Sequence, residues 1–159
     1  MSKVTPFLWF DGQAEVAAKF YVKLFKQGSK VTNVSRKGPG KDAPAWSVSF
    51  TLRGQDFIAL NGGPMFKFTP AVSFSIDCKD QKEVDRFWNA LTDGGKPGRC
   101  GWLEDRWGLS WQVIPSGLGK WIAHPAGMEA MMKMGKLDIA ALKAAAKPRA
   151  PAKRPGAAK

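Results

Sequence analysis

Histidine is almost missing from this 159-residue chain: His124 is the one imidazole, so a two-histidine metal site cannot be assembled within a single copy. Cysteine is as scarce, and Cys78 and Cys100 are too few for a disulfide framework. No stretch approaches the roughly 20 apolar residues that span a bilayer. Residues 1–11 also lack the basic head and small-residue cleavage site of a secretory signal. A soluble, cytoplasmic protein with no membrane partner is therefore expected. Acids are outnumbered 13 to 25 by Lys and Arg, and none occurs in residues 143–159. What the chain does have is apolar mass, 44% of its residues with seven tryptophans and ten phenylalanines. That content excludes wholesale disorder and is enough for one compact domain or two small halves sharing a core.

The excess charge is concentrated. Lys143, Lys147, Arg149, Lys153, Arg154 and Lys159 supply half of the net +12, and between them lie only alanine, proline and glycine. A segment without large apolar residues cannot offset the entropy of ordering, so residues 147–159 read as a disordered basic tail. Two readings stand for these six bases. One is a weak, salt-sensitive contact with nucleic acid through phosphate neutralisation, and the other is a solvated extension.

Along the rest of the chain, residues 4–10 read as a strand ended by Asp11-Gly12. Ala17, Phe20, Tyr21 and Leu24 then recur at i, i+3, i+4 and i+7 and predict a helix over 13–26. Residues 30–37 form a modest strand. Residues 46–53 alternate strictly, with Trp46, Val48, Phe50 and Leu52 facing one way and Ser47, Ser49 and Thr51 the other, and pair as a hairpin with 56–61. The order then begins again. Val72, Phe74 and Ile76 alternate with Ser73, Ser75 and Asp77, and Asp80 with Glu83 suggests a capping box. Val84, Phe87, Trp88 and Leu91 supply the next helical stripe, and 99–104 and 109–115 read as strands. Met128, Met131, Met132 and Met134 mark a helical patch suited to packing or a subunit contact, and Asp138 caps a last helix reaching Ala146.

The two halves match element by element. Phe10-Asp11 lies beside Ile76-Asp77, Phe20-Tyr21-xx-Leu24 beside Phe87-Trp88-xx-Leu91, and Gly54-xx-Phe57-x-Ala59-Leu60 beside Gly108-xx-Trp111-x-Val113-Ile114. The expectation is an α+β fold: two tandem βαβββ modules forming a curved, mainly antiparallel sheet cup, with helices on the convex side. Neither unit can fold well alone, so the two should share a sheet. The modules fall at 1–65 and 66–118, followed by a helical segment at 119–146 and the tail. The other sheet face, with Ser47, Ser49, Thr51, Ser73, Ser75, Ser110 and Gln112, is polar and concave. It either holds a ligand or meets water.

Such a duplicated unit resembles the vicinal oxygen chelate superfamily of lactoylglutathione lyase, bleomycin-resistance proteins and extradiol dioxygenases. The stretches Thr5-Pro6-Phe7-Leu8-Trp9-Phe10-Asp11-Gly12, Ala59-Leu60-Asn61-Gly62-Gly63-Pro64, Cys100-Gly101-Trp102-Leu103 with Asp105, and Gly108-Leu109-Ser110-Trp111-Gln112 resemble its PhnB-like branch. That branch carries the label 3-demethylubiquinone-9 3-methyltransferase, and the likeness covers residues 3–145. It implies a homodimer, with cups built from paired modules. It also places metal-ligand positions near Gln112, Thr5 or Pro6, Leu60 or Asn61, and 71–73, where no carboxylate or imidazole stands. No resident metal and no cofactor are expected, apart from magnesium held weakly by Asp77 or Asp105. The methyltransferase reading lacks the Gly-rich strand-to-helix loop of a doubly wound nucleotide fold, since Asn61-Gly62-Gly63-Pro64 leads into an aromatic loop.

Among residues able to carry chemistry, Cys100 beside Arg99 is either a nucleophile with a lowered pKa or a buried structural thiol. Asp105 is either a general base or a solvated turn acid. Ser110 and Gln112 point together into the cup and suit a carbonyl or amide, with Ser73 beside them. Asn61 completes that set or merely shapes a turn, and Trp9 and Trp102 wall the cavity or belong to the core. His124 reads as a loop residue. The function expected is binding, with or without transformation, of a small metabolite in a metal-free cup. The alternatives are the labelled methyl transfer, or a module tethered to nucleic acid by the tail.

Overall fold

A computed structural model describes residues 4–147. Strand β1 (Phe7–Phe10), helix α1 (Ala14–Phe25) and strands β2 (Lys30–Arg36), β3 (Ala45–Leu52) and β4 (Gln55–Asn61) form the first unit. Strand β5 (Ser73–Cys78), helix α2 (Gln81–Thr92) and strands β6 (Lys96–Pro97), β7 (Trp102–Glu104) and β8 (Ser110–Pro115) form the second. Helices α3 (Leu118–Ile122), α4 (Pro125–Met132) and α5 (Ile139–Ala145) follow. Local sequence sets the starts of α2 and α5. Asp80 accepts from the Glu83 N–H at 2.9 Å, and the Glu83 carboxylate reaches back to the Lys79 N–H at 3.1 Å, so a capping box starts α2 one residue off the ideal pattern. Asp138 caps α5 through the Ala141 N–H at 2.9 Å. Val84, Phe87, Trp88 and Leu91 are all buried, as their spacing predicts.

The fold is α+β, with two four-stranded mixed sheets and helices packed against them. Strand order is β1-β4-β3-β2 in one and β5-β8-β7-β6 in the other. The first strand of each unit pairs in parallel with the last, Trp9 opposite Leu60 and Ser75 opposite Gln112, and the remaining pairs are antiparallel. Hydrogen bonding thus divides the strands into two sheets, where a single shared sheet was expected. Side chains join the halves instead: Phe57 meets Phe74 with centroids 5.2 Å apart, Phe25 meets Phe87 at 4.9 Å, and Tyr21 meets Trp111 at 5.3 Å. The third strand that the βαβββ pattern calls for after α2, given no range by the sequence, is the two-residue β6, which pairs Lys96 with Glu104.

Trp46 also departs from expectation. Ser35 pairs with Ser47 but Arg36 with Ala45, so Trp46 is an extra residue in β3 and bulges out of the ladder. The bulge turns Ala45 inward and leaves Trp46 53% exposed, while Val48, Phe50 and Leu52 stay buried as the alternation requires. Arg36 at the bulge forks onto Glu15 of α1, with bonds of 3.0 and 3.1 Å. That hydrogen bond, reinforced by Lys19, lowers the Glu15 carboxyl to about 2. A carboxyl whose pKa is lower in the folded state stabilises the fold above its unfolded value and loses that contribution as pH falls through the folded one. Acid titration should therefore erode stability between about pH 4.5 and 2. In Glu15→Gln the erosion should be shallower, and an unchanged urea midpoint profile across that window would contradict the assignment.

Candidate functional site

Alternation along β7 and β8 sorts their side chains onto two faces. Trp102, Glu104, Ser110 and Gln112 share the open face by register, and Leu103, Asp105, Trp111 and Val113 turn toward the helices. Ser73 on β5 is opposite Ser110, and its Oγ accepts from Gln112 Nε2 at 2.9 Å. The expected set of Ser73, Trp102, Ser110 and Gln112 is therefore brought together on one sheet. A recess of about 280 Å³ opens here, walled by Pro70, Pro97, Trp102, Leu103, Glu104 and Ser110. Ser110 is 1% exposed, and its Oγ has no hydrogen-bond partner among the described residues. A buried hydroxyl without a partner costs about 1–3 kcal/mol, and this one is closed even to water, so a molecule in the recess pairs with it by displacing the atoms that cover it. The larger groove, about 730 Å³ between α4 and α5 and lined by His124, Glu129, Lys133 and Ala145, offers no such buried group.

Glu104, the last residue of the expected strand 99–104, was not among the expected site residues. It stands two residues from Trp102, so the same alternation places it on the open face, and it forms a loose ion pair with Lys96 at 3.8 Å. It also walls an adjoining recess of about 340 Å³ together with Trp9, Asp11, Phe66 and Trp107. Trp9 lies in this neighbouring recess, fixed by a 2.8 Å bond from Nε1 to the Gly63 carbonyl.

The remaining candidates lie elsewhere. Asn61 spends both ends of its amide on structure: Oδ1 accepts from Ala14 N at 2.8 Å, capping α1 where Gln13 does not, and Nδ2 donates to the Ala45 carbonyl at 3.0 Å. Cys100 has a positive φ of 56° and faces the C-terminal segment. Its N–H donates to the Met134 carbonyl at 2.8 Å, and its thiol meets the Met131 carbonyl at 3.6 Å and Met132 Sδ at 3.7 Å. The neighbouring Arg99 guanidinium is engaged by the Met132 carbonyl at 2.7 Å. Cys78 is buried, which pushes its thiol up to about 12 and leaves it unreactive.

Asp105 is no solvated turn acid. It is 3% exposed, and its Oδ2 accepts from Tyr21 Oη at 2.5 Å and Trp111 Nε1 at 2.9 Å. Its Oδ1 accepts from the Trp107 and Leu109 N–H groups at 2.9 and 3.1 Å. Burial pushes this carboxyl above the ordinary range, and the four donors pull against that shift. Burial and the adjacent carboxylate hold the Tyr21 phenol well above its ordinary value, so it remains the donor. Of the four bonds, the one from Tyr21 ties the first unit to the second, and the other three fix the carboxylate within the second unit.

The donor set does not fit a resident transition metal. Neutral amide and hydroxyl groups occupy the positions at Asn61, Ser73 and Gln112, the Asn61 amide is held by backbone groups at both ends, and no group of three His, Cys, Asp or Glu side chains clusters among the described residues. Nor do two mixed four-stranded sheets fit the doubly wound mode of binding S-adenosylmethionine. Of the basic tail, Arg149, Lys153, Arg154 and Lys159 lie outside the described residues. Lys143, on α5, sits 5.5 Å from the Trp121 ring. No helix among the described residues is long and apolar enough to cross a membrane.

Two βαβββ units, each with its first strand parallel to its last in a four-stranded mixed sheet, match the vicinal oxygen chelate fold of glyoxalases and bleomycin-resistance proteins. A family model described as 3-demethylubiquinone-9 3-methyltransferase matches residues 2–114. A Bacillus cereus structure titled a 3-demethylubiquinone-9 3-methyltransferase, PhnB protein, is 36% identical over 72% of this chain and 99% of its own, with a TM-score of 0.65. The chain belongs to this PhnB-like family. A Pseudomonas aeruginosa protein, 18% identical over 72% of this chain and 98% of its own, shares the fold at a TM-score of 0.58. The fosfomycin resistance protein FosX of Listeria monocytogenes, 11% identical over 72% and 93%, shares it at 0.50. No match was found among curated proteins.

Proposed function

We propose that this chain binds a small organic metabolite in the recess on the open face of its second sheet, without a resident metal ion. Trp102 supplies an apolar wall, and Ser110, with Gln112 and Ser73 beside it, supplies donors and acceptors for a carbonyl or amide. The observation that carries this reading is the Ser110 hydroxyl, buried and unpartnered among the described residues at the wall of a cavity. Residues 2–114, the span shared with the family, contain the whole recess. A homodimer belongs to the same proposal. The open face of the first sheet carries Phe7, 58% exposed, beside Trp9, Ile58 and Leu60, an apolar surface suited to a second copy.

The test is a thermal-shift screen of small metabolites, followed by titration of a hit against wild type and Ser110→Ala. Removing an unpaired hydroxyl leaves the empty protein as stable as before or about 1 kcal/mol more stable, while affinity falls about tenfold. Sedimentation of the same samples should give twice the chain mass. A ligand indifferent to Ser110→Ala, or a Ser110→Ala protein that is itself destabilised, would remove the site.

A further inference from the structure

The recess beyond Glu104 has a chemistry of its own. Trp9 and Phe66 meet at 80° with centroids 5.0 Å apart, so one face of each ring bounds a right-angled corner. The Trp9 indole is held in place twice. Its Nε1 bonds to the Gly63 carbonyl, and its ring lies so close to Gly62 that a Cβ there would stand 2.2 Å from Cζ2. Trp107, braced edge-on by Phe20 and Tyr21 with centroids 5.4 Å away in each case, adds a further aromatic wall. Asp11 and Glu104 bring two carboxylates to this enclosure against the ammonium of Lys67 on its rim; the Arg106 guanidinium, 5.7 Å from the Trp107 ring, is not among the lining residues and is paired with Asp93 at 2.6 Å. Lys96, the ion-pair partner of Glu104, is itself 83% exposed and leaves that carboxylate only loosely engaged.

Rings that present negative faces, with carboxylates beside them, attract cations. A small hydrated metal ion would have to give up its water to aromatic carbon, whereas a quaternary ammonium is weakly hydrated and carries its charge on methyl groups that pack against rings. The volume of about 340 Å³ admits a trimethylammonium group with a short chain attached. We infer that the pocket bounded by Trp9, Phe66, Trp107, Asp11 and Glu104 is a subsite for an organic cation of the methylated ammonium class. It deepens the ligand reading above and rests on that reading only through Glu104, which walls both recesses. A ligand spanning the two would place its cationic end here and its hydrogen-bonding end at Ser110.

The probes are tetramethylammonium, choline and 3,3-dimethyl-1-butanol, the neutral carbon analogue of choline. They are titrated into the full chain while the tryptophan indole signals are followed by NMR, with the Trp9 signal assigned through Trp9→Phe. Both cations should shift the Trp9 signal saturably, and the neutral analogue should bind about 3- to 30-fold more weakly. Phe66→Leu, at a position 59% exposed, and Glu104→Gln should each weaken the cations by a similar factor. Ser110→Ala should leave tetramethylammonium unaffected, because that ion is too short to reach both recesses. Equal binding of the neutral analogue, or cation binding indifferent to both Phe66→Leu and Glu104→Gln, overturns the inference. A hit that depends on Ser110 while tetramethylammonium fails to bind overturns this subsite alone; tetramethylammonium binding with no Ser110-dependent hit overturns only the earlier reading.

Discussion

Asp105→Ala should be the most damaging single substitution in the chain, lowering unfolding stability by about 4 kcal/mol or more and the melting temperature by roughly 10 °C or more. The reason is a count of donors. Truncation leaves Tyr21 Oη, Trp111 Nε1 and the N–H groups of Trp107 and Leu109 facing a space without an acceptor. Each orphaned buried donor costs about 1–3 kcal/mol, and these costs do not simply add. Asp105→Asn should fall between, because its amide oxygen still accepts while its NH₂ opposes the Trp111 N–H. Tyr21→Phe, which removes one donor and leaves the carboxylate its other three partners, should cost about 2 kcal/mol. Urea unfolding of the three variants measures the order. If Asp105→Ala lost less than Tyr21→Phe, the carboxylate would not be the tie between the two units.

The second large effect is expected far from any ligand. Leu137 is fully buried although it lies beyond residue 114, where the family model ends. The segment around it is strapped to the second unit by backbone and side chain alike. Cys100 and Gly101 donate to the Met134 and Gly135 carbonyls at 2.8 Å each, and Gln81 both donates to the Leu137 carbonyl at 3.1 Å and accepts from the Ile139 N–H at 2.9 Å. Lys136 adds an ion pair with Asp85 at 2.7 Å. Leu137→Ala should therefore cost about 2–5 kcal/mol, as core truncations do. Chemical denaturation with fluorescence from Trp88, which lies against Gly135, reads the change. A loss within 0.5 kcal/mol, the ordinary range for a surface substitution, would mean that the segment is only loosely attached.

Local patterns revealed the elements and hid the junction. The stripe of α2 and its Asp80 cap were legible because both depend on residues three or four apart. The open-face set of Ser73, Trp102, Ser110 and Gln112 was legible because strand alternation has a period of two, and Glu104 obeys the same rule and needed only its application to Trp102. Trp46 was misplaced because its bulge is set by the pairing of β2, a property of two strands at once. Asp105 was misread because its partner Tyr21 is 84 residues away, and nothing local distinguishes an acid in a solvated turn from one buried beneath a helix. Asn61 misled in the same way, as its amide caps a helix 47 residues earlier. Cys100 lies beside an arginine in the sequence, but the fold turns that guanidinium to a carbonyl of α4.

The site assignment turns on which of two hollows a ligand chooses, and the seven tryptophans report on both. Trp102 walls the recess at Ser110, and Trp121 of α3, whose ring meets Lys143 of α5 at 5.5 Å and whose carbonyl abuts Gly127 of α4, stands next to the two helices that form the larger groove. The most direct measurement is an NMR titration of the labelled full chain with a screened ligand, following the assigned indole N–H signals. The account predicts a saturable shift of Trp102 with Trp121 unmoved. Movement of Trp121 with Trp102 unmoved would put the ligand at the C-terminal helices and contradict the assignment.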